Sequence, residues 1–183
     1  MPPRLRILSV CTHNRTRSVM MNALLQQHAE RAGRSFVFRS AGFSEAGGEL
    51  PTHNAVQLLA ARGIDVSGYL SHFLSKPGVV GADLIVTAER RHVVTIAGRW
   101  PEVCDRTFTL PEIVELGERV GPRGALTHQQ WLDAVQTERP SPLDYLDHPV
   151  GEIADPTGKS ADRWSTCFAQ IDDLTARLIA LLS

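Results

Sequence analysis

The chain has 183 residues, 43% of them apolar and 21% charged, with a formal net charge of −1. That length supports one domain with a substantial core, expected to span 1–183, and the near-zero charge excludes bulk attraction to nucleic acid or an anionic membrane. Three widely spaced cysteines without metal-ligand spacing argue against a disulfide framework and for a reducing, cytoplasmic setting, and no apolar run is long enough for a signal core or a membrane span.

Leu5, Ile7, Leu8 and Val10 read as a buried parallel strand. The stretch Cys11-Thr12-His13-Asn14-Arg15-Thr16-Arg17-Ser18 follows, and a helix opens near Ser18. Its apolar side is Met20, Met21, Leu24, Leu25 and His28, and Gly33 stops it. Phe36-Val37-Phe38 reads as a second strand leading into Ser40-Ala41-Gly42. A second helix is expected from Asn54 to Arg62, with Val56, Leu59 and Ala60 inward and Gly63 as its stop. Asp83 to Thr87 reads as a third strand, followed by a helix through His92, Val94 and Ile96. Thr107 to Leu110 reads as a fourth. Short apolar strands alternating with helices predict a three-layer α/β/α fold with a four-stranded parallel sheet and right-handed crossovers.

Gly117 to Pro149 is rich in glycine and proline and is expected to be an elaborated loop, with a short helix from His128 to Val135. Its Trp131 and Tyr145 either cap a substrate pocket or pin the loop to the body. The chain then closes with an amphipathic helix whose stripe is Trp164, Phe168, Ile171, Leu174, Leu178 and Leu181, with Cys167 beside it as a core residue. Arg90 and Arg91 are expected on the solvated surface.

The stretch from Cys11 to Ser18 carries the chemistry. Strand, tight loop and helix N-terminus, in that order, aim backbone N–H groups at a bound anion, and ligands in such sheets bind at the carboxyl ends of strands. Cys11 supplies a nucleophile whose thiolate is favoured by such surroundings. Arg17, six residues on, supplies a planar fork for two phosphate oxygens. Neither Cys104 nor Cys167 has this arginine: Leu110 and Asp173 stand at those places. An alkoxide or phenoxide leaving group also needs a proton. Asp155 is a candidate to supply it, since Pro156 biases the aspartate towards an extended backbone in a loop.

Together these pieces resemble the low-molecular-weight protein-tyrosine phosphatases and their arsenate reductase relatives. Cys11 to Ser18 is similar to the family's Cys-x-Gly-Asn-x-Cys-Arg-Ser loop. Ser40-Ala41-Gly42, Gly63-Ile64-Asp65, Asp83-Leu84-Ile85 and Asp155-Pro156 follow in the family's order. The resemblance implies a phosphoryl group carried on Cys11, phosphate held by Arg17, and Asp155 as general acid and then base. It also implies phosphate contacts from the loop residues Thr12, His13, Asn14, Arg15, Thr16 and Ser18, with Ser18 donating to the Cys11 sulphur and Asn14 holding the loop's shape at positive φ. No metal or other cofactor is required, because Arg17 and the loop dipoles supply the positive field. The implied substrate is a phosphorylated protein (phosphotyrosine) or a small aryl phosphate, and the expected state is a monomer or weak dimer.

The chain departs from the family pattern in several places. His13 replaces the usual glycine and Thr16 a frequent cysteine. Tyr69 stands where a histidine often braces the loop, and Thr157-Gly158 where aromatic residues flank phosphotyrosine. Two alternatives follow: an arsenate reductase drawing electrons from an external small thiol, and a non-catalytic oxyanion-binding module. An internal disulfide relay is not expected, since Ala88-Glu89 occupies the place of its cysteine.

Overall fold

The computed structural model describes residues 4–139, 145 and 149–183. Strands β1 (Arg6–Cys11), β2 (Val37–Gly42), β3 (Leu84–Thr87) and β4 (Thr107–Thr109) form a parallel sheet in the order β2-β1-β3-β4. Strand side chains alternate between faces, and here both faces are apolar. Ile7 and Cys11 of β1, Leu84 and Val86 of β3 and Phe108 of β4 join one core. Helices α1 (Arg17–Arg31), α2 (His53–Ala60), α5 (Leu110–Val120), α6 (His128–Thr137) and α7 (Ala161–Leu181) complete that core. Leu8, Val10 and Ile85 face the other way, onto Val79 of α3 (Lys76–Val80) and Ile96 of α4 (Arg90–Arg99). This is the expected three-layer arrangement: covering both faces is what lets short apolar runs persist as parallel strands.

Met20, Met21, Leu24 and Leu25 are fully buried; the α7 stripe is buried apart from the half-buried Phe168, and Cys167 is buried beside it. Several sequence expectations shift. His28 is only half-buried and pairs with Asp172 at 2.9 Å, so it belongs to a polar seam between α1 and α7. In α2 the inward residues are Ala55 and Leu59, while Ala60 is exposed. In α4 it is Val93 that turns inward with His92 and Ile96, leaving Val94 exposed.

In the segment expected to be an elaborated loop from Gly117, α5 runs on to Val120 and the expected short helix is present as α6. Gly117 lies inside α5, where its missing side chain lets the Trp131 ring approach: a Cβ there would come within 2.9 Å of it. Trp131 is buried and its indole N–H donates to the Gly121 carbonyl at 2.9 Å. Tyr145 donates to Glu112 at 3.1 Å, and Glu112 also accepts from Arg139 at 2.8 Å. Trp131 and Tyr145 therefore pin this segment to the body. The expected loop at 140–144 and 146–148 lies outside the described residues.

One close approach ties the sheet to the loop after β1. Cys11 pairs with Gly42 across β1 and β2. A Cβ on Gly42 would lie 2.7 Å from the Asn14 nitrogen and 2.8 Å from the Thr12 oxygen. These are backbone atoms and cannot swing aside. Gly42→Ala should therefore lower stability by about 1–3 kcal/mol and displace the loop enough to slow aryl phosphate hydrolysis about a hundredfold. Denaturant unfolding and steady-state rates on the purified variant check both, and a wild-type rate would show that the loop tolerates the shift.

Candidate active site

The strand ends at Cys11, whose buried sulphur lies 3.1 Å from Ser18 Oγ at the start of α1. Asn14 takes a φ of 55°, which asparagine tolerates better than most residues. That turn buries its amide beneath the loop, where Nδ2 donates to Ser18 Oγ at 2.8 Å. Because Ser18 Oγ accepts there, its own proton is available for the Cys11 sulphur. Asn14 Oδ1 accepts from the Tyr69 hydroxyl at 2.7 Å and from the His72 N–H at 2.8 Å, and Tyr69 also meets Ser40 Oγ at 2.8 Å. Tyr69 thus braces the loop from the place where the family resemblance led one to look for a histidine.

The loop is fastened from outside by its carbonyls. Ser44 N–H donates to the Thr12 oxygen at 3.0 Å and Thr52 N–H to the Arg15 oxygen at 2.9 Å. Thr16 Oγ1 meets Thr52 Oγ1 at 3.0 Å. Arg15 lies at the rim, donating to the Leu50 carbonyl at 2.8 Å and pairing with Glu49 at 3.2 Å, and His13 is exposed.

Arg17 is the buried charge of the site, with a side chain 1% exposed. Its Nη1 donates to Glu89 Oε1 and, at 2.9 Å, to the Ile153 carbonyl. Its Nη2 donates to Asp155 Oδ2 at 3.0 Å. The segment carrying Asp155 is held against the end of β3, where Ile153 N–H donates to the Ala88 carbonyl at 2.8 Å. Thr157 N–H caps Asp155 Oδ1 at 3.0 Å. Burial works to raise the Asp155 carboxyl, but the Thr157 bonds and the charges of Arg17 and His13 outweigh it and hold the group below the usual aspartate range.

With a cysteine, a serine, an arginine and an aspartate gathered at one strand-to-helix corner, comparison with known proteins becomes decisive. Residues 6–119 match the family described as low molecular weight phosphotyrosine protein phosphatase. The chain belongs to that family. A protein-arginine-phosphatase of Bacillus subtilis (strain 168) is 36% identical over 109 residues, 59% of this chain and 71% of that protein. A "probable low molecular weight protein-tyrosine-phosphatase EpsP" of Ralstonia nicotianae is 35% identical over 131 residues, 71% of this chain and 88% of that one. The solved YwlE arginine phosphatase, a cysteine-to-serine mutant with a phosphorylated active site serine, superposes with a TM-score of 0.73 at 26% identity, covering 96% of this chain and 93% of that one.

In this phosphatase the structure gathers every residue singled out in the sequence, Cys11 to Ser18 and Asp155, around one corner of the sheet. It also adds Glu89, Arg91 and His92 from the turn into α4. Glu89, which sequence reasoning noted only as a position lacking a cysteine, contacts Arg17. Arg91 is exposed, as expected, yet it lies at the loop's rim, where it pairs with Glu89 at 2.5 Å and donates to Thr12 Oγ1 at 3.1 Å. Arg90 Nε lies 3.6 Å from Glu152. His92 is buried, stacked on Phe43, with its Nδ1 accepting from Glu89 N–H at 3.3 Å. That bond leaves the proton on Nε2, which donates to Thr12 Oγ1 at 3.1 Å. Thr12 Oγ1 thereby accepts two hydrogen bonds, and its own hydroxyl proton is left to donate. The one signal that could have found this turn is its place at the carboxyl end of β3. Cys167 is buried in the core, as expected, and that burial pushes its thiol up to about 11.

Burial lowers His92 to about 4, against the opposing pull of Glu89. The unfolded chain, with a histidine near its ordinary value of 6.5, binds more protons than the folded one between pH 6.5 and 4. Stability from this group is therefore complete above pH 6.5 and is lost as pH falls towards 4, by on the order of 3 kcal/mol. Denaturant unfolding at pH 7, 5.5 and 4 should show this slope in the wild type and a shallower one in His92→Gln. Equal slopes would mean that His92 is not the buried titrating group.

Proposed function

We propose that this phosphatase is a protein-tyrosine phosphatase working through a phosphocysteine on Cys11. The observation that carries it is the Cys11–Ser18–Asn14 hydrogen-bond chain beside a buried Arg17 that Asp155 touches at 3.0 Å. Cys11 Sγ attacks phosphorus in line, forming the S–P bond as the P–O bond to the leaving group breaks. The leaving oxygen takes its proton from Asp155. Arg17 and the loop N–H groups from Thr12 to Arg17 stabilise the charge on the transferring oxygens, which is where such sites gain most of their rate. Asp155 then takes a proton from water, the water oxygen attacks phosphorus, and the S–P bond breaks to release orthophosphate. Ser18, donating to the sulphur, makes Cys11 the better leaving group in this second step.

Asp155 starts ionised against Arg17, so it must gain a proton before it can serve as an acid. A phosphate entering the cradle draws Arg17 to itself and adds negative charge nearby, and both effects raise the Asp155 carboxyl. The phosphorylated active site serine in the solved arginine phosphatase mutant supports a covalent phosphoryl intermediate in this family.

The resemblance to protein-arginine-phosphatases favours a second reading, hydrolysis of phosphoarginine. A phosphoarginine would bring its own guanidinium to a rim that already carries Arg15, paired with Glu49, and Arg91, whose partner Glu89 also serves Arg17. A phenyl ring brings no such charge, which favours tyrosine.

Hydrolysis of para-nitrophenyl phosphate, with chelator present, should vanish in Cys11→Ser while phosphate binding persists. Asp155→Asn should slow aryl phosphates about a hundredfold or more, and least for leaving groups that need no proton. Equal slowing of all leaving groups would remove Asp155 from the acid role. On matched peptides, kcat/KM should favour phosphotyrosine over phosphoarginine, and the reverse order would establish the second reading.

A further inference from the structure

Resting on the phosphatase reading of the site, we propose that Glu89 is its positioning residue, anchoring Arg17 through Nη1 so that the opposite edge of the guanidinium is reserved for phosphate. A guanidinium has five N–H groups. Both on Nη1 are engaged, by Glu89 and the Ile153 carbonyl, and one on Nη2 by Asp155. Among the described residues Nε–H has no partner and Nη2 has one N–H to spare, which leaves two donors for the oxygens of one phosphate.

The two carboxylates on Arg17 are not equivalent. Asp155 sits on an exposed turn with its side chain 44% exposed, and in the reaction it must turn to the leaving group. Glu89 is 19% exposed and is tied into the β3–α4 corner. Its carbonyl accepts from Thr87 Oγ1 at 3.1 Å and its N–H donates to His92. Only Glu89 can stay on Arg17 when Asp155 leaves, and a buried guanidinium stripped of both partners would lose its aim as well as its charge balance. Glu89 also holds Arg91, which reaches Thr12 at the mouth of the loop. One residue thus aims the charge at the base of the cradle and one of the donors at its rim.

Glu89 is also the N-cap of α4, so a purely structural role has to be separated from a positioning one. Three variants do so. Glu89→Gln keeps the length and an oxygen that accepts from Nη1 but is a poor cap. Glu89→Asp is a favoured cap and keeps the charge but is one methylene too short to hold Arg17. Glu89→Ala removes both.

The expected order of kcat on aryl phosphate is wild type, then Glu89→Gln within about threefold, then Glu89→Asp and Glu89→Ala lower by about tenfold or more. The dependence on leaving group should be unchanged in all three, because Asp155 still supplies the proton. A fast Glu89→Asp beside a slow Glu89→Gln would make Glu89 only a cap, and a wild-type rate in Glu89→Ala would remove any role; either overturns the proposal. Calorimetric binding of inorganic phosphate should follow the same order, Glu89→Gln tighter than Glu89→Asp, without turnover. An inactive wild type would thus sink the phosphatase reading while the phosphate affinities still judge Glu89.

Discussion

A guanidinium buried at the root of a helix is the constraint on which the rest of this structure depends. Arg17 is almost wholly withdrawn from water, and a buried charge persists only when it is paired and hydrogen-bonded. Its partners come from the first turn of α4 and from the segment before α7, more than seventy residues away in each case. Satisfying one side chain therefore fixes how the end of β3 and the approach to α7 meet the loop after β1. The same guanidinium is the one proposed to hold a transferring phosphoryl group. Structural need and chemical use coincide at one side chain.

The loop itself is shaped by a second network, polar and uncharged. Asn14 takes the positive φ, lies beneath the turn, and connects Ser18 on one side to Tyr69, Ser40 and the His72 backbone on the other. Gly42 completes it by leaving no atom where a side chain would strike the loop. The family's usual bracing histidine is absent, yet the geometry survives. A tyrosine hydroxyl reaches Asn14 as a donor, and Ser40 orients it from behind. What the fold requires at that position is a donor at the right distance, rather than a particular ring.

Much of this was legible in the sequence. Alternating apolar strands and helices pointed to the four-stranded parallel sheet, because period and length are local properties, while the strand order came only from the structure. Cys11, Arg17 and Ser18 stood out because they lie within eight residues of one another on one turn. Asp155 needed the family resemblance, and the structure then brought it to Arg17. Glu89, Arg91 and His92 were not legible. They gain their meaning from contacts seventy or more residues distant, and an arginine pair after a strand looks the same whether solvent or a threonine hydroxyl receives it. The inward faces of α2 and α4 slipped by a residue for a related reason. Both helices are short, and an apolar pattern of two or three residues does not fix which side meets the core.

The account makes Cys11 the atom that carries phosphorus. The direct measurement is to quench the enzyme rapidly during turnover of an aryl phosphate and determine which peptide has gained a phosphoryl group. The account predicts the group on the peptide containing Cys11, formed in step with a burst of released phenol and absent from Cys11→Ala. A phosphoryl group on any other residue, or a burst with Cys11 unmodified, would contradict it.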